Sequence, residues 1–288
     1  MKFNENADLD PSRATSGGGG GGGRIAIGGI GGLVLILVAL FFGIDPANIL
    51  GGDQPVDTAS TSTGQNTLQK CTTVKDIEAN PQCRFVAYQN SLDRYWGSVV
   101  KGYTPANQFV MFTGQIQTGC GTATSAVGPF YCPADEKVYL DESFFTTLKQ
   151  QFGATSTPAV EAYVMAHEYG HHVQNQIGVL GQVSKGGTGA DSASVRSELQ
   201  ADCFAGVWFA NAAKDTKGPI AQVTEQDIRE ARAAAQAIGD DRIQQNTTGR
   251  VDREAWTHGS SAQREKWLLQ GYRSGDPNTC DTWSARTL

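Results

Sequence analysis

The stretch AYVMAHEYGHHVQ (residues 162–174) decides the reading of this chain, because His167, Glu168 and His171 within it spell HExxH. Successive residues of an α-helix are turned by about 100°, so two histidines four apart stand one above the other and can reach a single ion. Glu168 then sits beside that ion. Neighbouring residues support the helix: Thr157 can cap it, Pro158 suits its first turn, Glu161 complements the positive end of the dipole, and Gly178 marks the stop. Gly170, between the histidines, weakens the helix by about 1 kcal/mol relative to Ala but leaves room for another backbone to come close.

Imidazole suits Zn²⁺, and a catalytic zinc takes three protein ligands and keeps one position open. His167 and His171 supply two. The run 193–210 reads as a second helix with Leu199, Ala201, Phe204, Val207 and Trp208 as its apolar set, and Glu198 on it is the expected third ligand. Asp202, four residues on, shares that face and can accept a hydrogen bond from the outward ring nitrogen of a ligating histidine, which fixes its tautomer. One zinc ion would lower the pKa of a water to about 7. Glu168 is then expected to take the proton as general base and pass it to a leaving amine, the chemistry of peptide-bond hydrolysis. The plainer alternative is a polar face or adventitious metal site. Against it, three of the four histidines of the chain fall within 167–172. His172 points about 100° away from His171 and reads as structural.

The chain resembles a bacterial family of membrane-anchored neutral zinc metallopeptidases, and more broadly zincins with a glutamate third ligand. The resemblance rests on TGCGTATSAVGPFYCPADEKVYLD (118–141), AYVMAHEYGHHVQ, SELQADCFAGVW (197–208) and THGSSAQR (257–264), so it spans most of the chain after about residue 70. It implies a zinc site on His167, His171 and Glu198 with Glu168 as base. THGSSAQR also resembles a segment of membrane-associated zinc peptidases in which a histidine stabilises the oxyanion of the tetrahedral intermediate. His258 would take that role, although Gly259 stands where those proteins have proline. Its alternative role is to cap a helix beginning near Ser260 or Ser261. By the same resemblance, residues 137–140 or 115–118 supply a sheet edge that pairs with extended substrate, unless the strand is purely structural.

Residues 25–44 are 20 residues without a charge, about 30 Å as a helix and enough to span a membrane once. Arg24 precedes the stretch and Asp45, Asp53 and Asp57 follow it. Positive residues stay cytoplasmic, so the expectation is a disordered, glycine-rich cytoplasmic tail (1–24), a transmembrane helix in the inner membrane (25–44), a flexible linker (45–68) and an extracytoplasmic domain (69–288). Six cysteines in an exported domain suggest disulfides, with Cys71–Cys83, Cys120–Cys132 and Cys203–Cys280 the expected pairs.

A net charge of −6 without a basic stripe argues against a nucleic-acid partner. Strands are expected only between about residues 109 and 140. The expected fold is therefore α+β, helix-dominated and zincin-like, behind a single transmembrane helix. The expected function is a membrane-tethered zinc peptidase, an endopeptidase acting on peptides or proteins. The competing function is a non-catalytic binding or scaffold module that retains zinc for stability, against which the intact Glu168 speaks.

Overall fold

The structure is a computed structural model that describes residues 1–17, 66–152, 156–185 and 187–288. In chain order its strands and helices begin with β1 (Lys2–Phe3), β2 (Ala14–Ser16), α1 (Asp76–Ala79), α2 (Cys83–Val99), β3 (Gln108–Phe112), β4 (Gln115–Thr118) and β5 (Gly121–Thr124). They continue with β6 (Phe130–Cys132), β7 (Lys137–Asp141), α3 (Phe144–Phe152), α4 (Pro158–Gln176), α5 (Ala193–Asn211), β8 (Ile220–Gln222), α6 (Glu225–Ala237), α7 (Asp240–Thr248) and α8 (Ser261–Ser274). The fold is helix-rich α+β.

The HExxH stretch lies in the middle of α4, which starts and stops on the expected residues. Thr157 Oγ1 accepts the N–H of Val160 at 3.3 Å, Pro158 opens the helix, and Gly178 follows its end with φ +77°. Glu161 does more than complement the dipole: Arg84 of α2 grips its carboxylate with two hydrogen bonds of 2.7 and 2.8 Å, tying α2 to α4. Gly170 has the packing role its size allows. A Cβ there would stand 2.9 Å from the Ala201 Cα, so α4 and α5 touch backbone to backbone. The same device brings α8 against α5, where a Cβ on Gly206 would meet the Leu268 carbonyl oxygen at 2.0 Å and one on Gly271 the Cys203 oxygen at 1.9 Å. These close approaches fix α4, α5 and α8 as a rigid triplet around the site.

A four-stranded sheet of order β2–β3–β7–β6 flanks the triplet; β2, β3 and β7 run parallel, and β6 is antiparallel to β7. The expectation for the substrate-pairing edge is corrected for one of its two segments. Residues 137–140 lie in β7, hydrogen-bonded on both sides, and supply no edge, whereas 115–118 form β4 of a two-stranded hairpin with β5 and keep one side unpaired among the described residues. The edge beside α4 is β6.

The expected disordered tail is also corrected over residues 1–17. β1 pairs with β8, β2 extends the main sheet, and Ala7, Leu9 and Ala14 are buried. Asn66 accepts the N–H of Ser16 at 2.9 Å and Leu68 is fully buried, so the folded domain begins before residue 69. Polar composition concealed this segment, because edge strands are held by backbone hydrogen bonds and need few apolar residues. Residues 1–17 pack on the same body as 66–288. Residues 25–44 lie outside the described residues. Among the described ones, no helix is long and apolar enough to cross a membrane. The three disulfides are Cys71–Cys83, Cys120–Cys132 and Cys203–Cys280, the pairing expected.

Candidate metal centre

α4 presents His167 and His171 one turn apart, their rings 4.8 Å between centroids and nearly perpendicular. α5, capped by Ser192, presents Glu198 opposite them: Oε2 lies 3.2 Å from His167 Nε2 and Oε1 lies 3.4 Å from His171 Nε2. The three donor atoms fall within 4.8 Å of one another. Two nitrogens and a carboxylate oxygen at this spacing fit a zinc ion and leave room for a further ligand.

The far nitrogens of both histidines are engaged. His167 Nδ1 is 2.9 Å from Asp202 Oδ1, and His171 Nδ1 is 2.9 Å from Gln174 Oε1. Each acceptor favours a proton on Nδ1, so that Nε2 is the atom each ring turns to the centre for a metal. Asp202 is fully buried and well supplied with donors: Tyr163 Oη at 2.6 Å, Arg264 Nε at 2.9 Å and Nη2 at 3.1 Å, besides His167. Burial pushes its carboxyl up, but the Arg264 guanidinium and His167 outweigh that and hold it below the ordinary range. Burial likewise disfavours a charged His167, yet Asp202 and Glu198 together drive its pKa up to about 10. The field at this point favours positive charge, the sign a divalent cation needs.

Glu168 lines the same cleft and is buried. Burial raises its pKa, and the neighbouring histidines offset part of the rise. His258 also reaches the cleft. Its Nδ1 lies 2.8 Å from Thr257 Oγ1 and 3.4 Å from Asp240 Oδ1. Asp240, at the start of α7, shapes that loop by accepting three successive main-chain N–H groups, from Thr257, His258 and Gly259, at 2.7–2.9 Å. The cap of α8 is Ser260 in a capping box with Gln263, so the capping alternative for His258 does not hold. Gly259 has φ +89°, which proline cannot adopt, so this loop is built differently from one with proline at that place. His172 stays out of the centre: Nε2 donates to the Thr104 carbonyl at 2.8 Å and Nδ1 accepts from Tyr131 Oη at 3.1 Å.

The cleft above the centre is walled by Val127, Phe130, Phe144, Val164, Leu180 and Ile238. Reading the sequence missed three residues around the ligands. Tyr163 and Gln174 sit four before His167 and three after His171, spacings that place them on the ligand face and could have revealed them. Asp240 lies 18 residues before His258 with no pattern linking the two.

Residues 2–283 match the family model described as "Putative neutral zinc metallopeptidase". An uncharacterized protein of Mycobacterium tuberculosis is 49% identical over 255 residues, covering 87% of this chain and 86% of the relative, and a counterpart in Mycobacterium bovis matches to the same extent. The uncharacterized protein YpfJ of Escherichia coli K12 is 40% identical over 267 residues, covering 88% of this chain and 87% of its own. No solved structure matches the chain.

Proposed function

Because this chain belongs to the neutral zinc metallopeptidase family, matched across residues 2–283, we propose that it hydrolyses peptide bonds with one zinc held by His167, His171 and Glu198. The observation that carries this reading is the composition of the cleft floor: three metal-binding side chains and the carboxylate of Glu168 face one space. A structural zinc site usually closes with four protein ligands and needs no neighbouring base. Zinc bound there supplies Lewis acidity to the substrate carbonyl and the attacking water.

Glu168 takes the proton of the attacking water and gives it to the leaving nitrogen. Its burial raises its proton affinity, which suits a group that must both accept and release one. His258 stabilises the charge that develops on the carbonyl oxygen, with Asp240 and Thr257 holding its ring from behind. Asp202 and Arg264 do not touch substrate; they keep His167 aligned as a ligand.

The substrate is an extended peptide lying along the free edge of β6, whose backbone groups can pair with it. An apolar side chain next to the scissile bond fills the cleft lined by Phe130, Phe144 and Val164. Three disulfides favour an oxidising compartment for the domain. Residues 1–17, packed on that domain, share its compartment, and the apolar stretch 25–44 supports a membrane as a partner.

The test is zinc content and cleavage of a broad peptide pool, side by side, for the full chain and Glu168→Gln. Both proteins should carry about one zinc, and only the parent should cleave. Cleavage surviving in Glu168→Gln overturns the mechanism, and zinc without cleavage in either favours the scaffold function.

A further inference from the structure

Behind His171 lies a side chain with no part in the reaction described above. Gln174 is fully buried, and its Oε1 stands 2.9 Å from His171 Nδ1. Its amide has one workable orientation. Nε2 donates to the Ser197 carbonyl at 2.8 Å and to Gln200 Oε1 at 3.0 Å, and Oε1 accepts from Ser197 Oγ at 3.0 Å. A main-chain carbonyl only accepts, so Nε2 must face it and Oε1 must face the imidazole. Oε1 also only accepts, which places the His171 proton on Nδ1 and leaves Nε2 bare. Ser197 immediately precedes Glu198, so the same amide ties the two ligand helices together at the centre.

The network then leaves the site. Gln200 Nε2 donates to the Cys280 carbonyl at 2.9 Å, and Trp283 Nε1 donates to Gln200 Oε1 at 3.2 Å. Thr282 Oγ1 donates to the Arg196 carbonyl at 2.7 Å, and Cys280 is bonded to Cys203 of α5. A segment far away in sequence is thus clamped over the amide that orients a ligand.

Resting on the metal-centre reading alone, we infer that Gln174 is the positioning residue that fixes the tautomer of His171, and that the disulfide-anchored segment 277–283 holds Gln174 in place. The zinc affinity of the full chain, read by competition with a chromophoric chelator and with Zn²⁺ as the probe, tests this. Gln174→Leu removes the acceptor and should bind zinc about 10–100-fold more weakly. Gln174→Glu keeps an acceptor toward Nδ1 and, as the neutral acid, a donor toward the Ser197 carbonyl; it should bind more tightly than Gln174→Leu, with a parental visible spectrum when cobalt replaces zinc. The Cys203→Ser/Cys280→Ser double variant should bind more weakly than Cys71→Ser/Cys83→Ser, which leaves the segment tied. Parental affinity in a folded Gln174→Leu protein, or a Gln174→Glu protein no better than it, overturns the inference. Should Gln174→Leu not fold, parental affinity in Gln200→Leu overturns it instead. A parent without zinc affinity sinks the metal centre itself, a different failure from equal affinity in all variants.

Discussion

Arg264 and Asp202 form a buried two-pronged pair, Nε to Oδ2 at 2.9 Å and Nη2 to Oδ1 at 3.1 Å, with side chains 2% and 0% exposed. The same carboxylate holds His167 Nδ1, so α8 reaches the ligand helix through one side chain. Arg264→Leu leaves that carboxylate buried without its counter-charge and should destabilise the protein by about 3–5 kcal/mol. Arg264→Lys restores the charge but not the planar fork, so it should recover only part. Urea unfolding at constant zinc measures both. A parental midpoint and slope for Arg264→Leu would show that the pair does not hold the site together.

The helices and the cluster of His167, His171 and Glu198 were legible because they rest on short-range rules: helical spacing joins His167 to His171 and Glu198 to Asp202, and Thr157 and Ser192 cap their helices locally. The disulfide pairing followed from two equal short separations and a remainder. What stayed hidden depends on contacts between distant segments. β2 has no apolar alternation and exists because β3 offers an edge; β6 becomes the free edge because β7 is sandwiched between it and β3. Asp240 finds His258 only once α7 and α8 are assembled.

Glu168→Gln removes a base without altering the ligand set. Turnover should fall by about 10²–10⁴, while zinc content stays parental because Glu168 is not one of the three donors. Single-turnover kinetics with zinc assayed on the same sample separates the two. Loss of zinc together with activity would instead mean that Glu168 serves as a ligand.

His258→Ala should lower kcat by about 10²–10³ with little change in KM, the pattern for an interaction made only in the transition state. Asp240→Ala should lower kcat as well and also cost stability, since three N–H groups of the Thr257–Gly259 turn lose their acceptor. Kinetics and thermal unfolding on both variants decide the matter. Unchanged kcat in a folded His258→Ala protein removes His258 from the reaction.

Asp93 should impose a pH dependence on stability. It is 8% exposed; its pKa is raised to about 6, because burial outweighs the opposing pull of Arg13 and the Tyr103 hydroxyl. A carboxyl whose folded pKa is raised contributes stability below about pH 4, and that contribution is lost as pH climbs through about 6. The shift of about two units corresponds to roughly 3 kcal/mol. The difference in unfolding free energy between Asp93→Asn and the parent should therefore change across pH 4–7 in favour of the variant at the higher end. A difference that stays flat over that range contradicts the shift.

Residues 1–17 and the domain should lie on one face of the membrane, because β2 is hydrogen-bonded to β3 through Ala14–Phe109, Thr15–Val110 and Ser16–Met111. A strand cannot pair with a sheet from which a bilayer separates it. The native cysteines are all in disulfides, so one introduced thiol can be labelled alone. Ser12→Cys and Lys101→Cys place it at exposed positions on the N-terminal segment and on the domain. A membrane-impermeant maleimide applied to intact cells should modify both or spare both. Labelling at Lys101→Cys with protection at Ser12→Cys would instead put the termini of 25–44 on opposite faces and require residues 1–17 to be detached from the sheet in the membrane-bound protein.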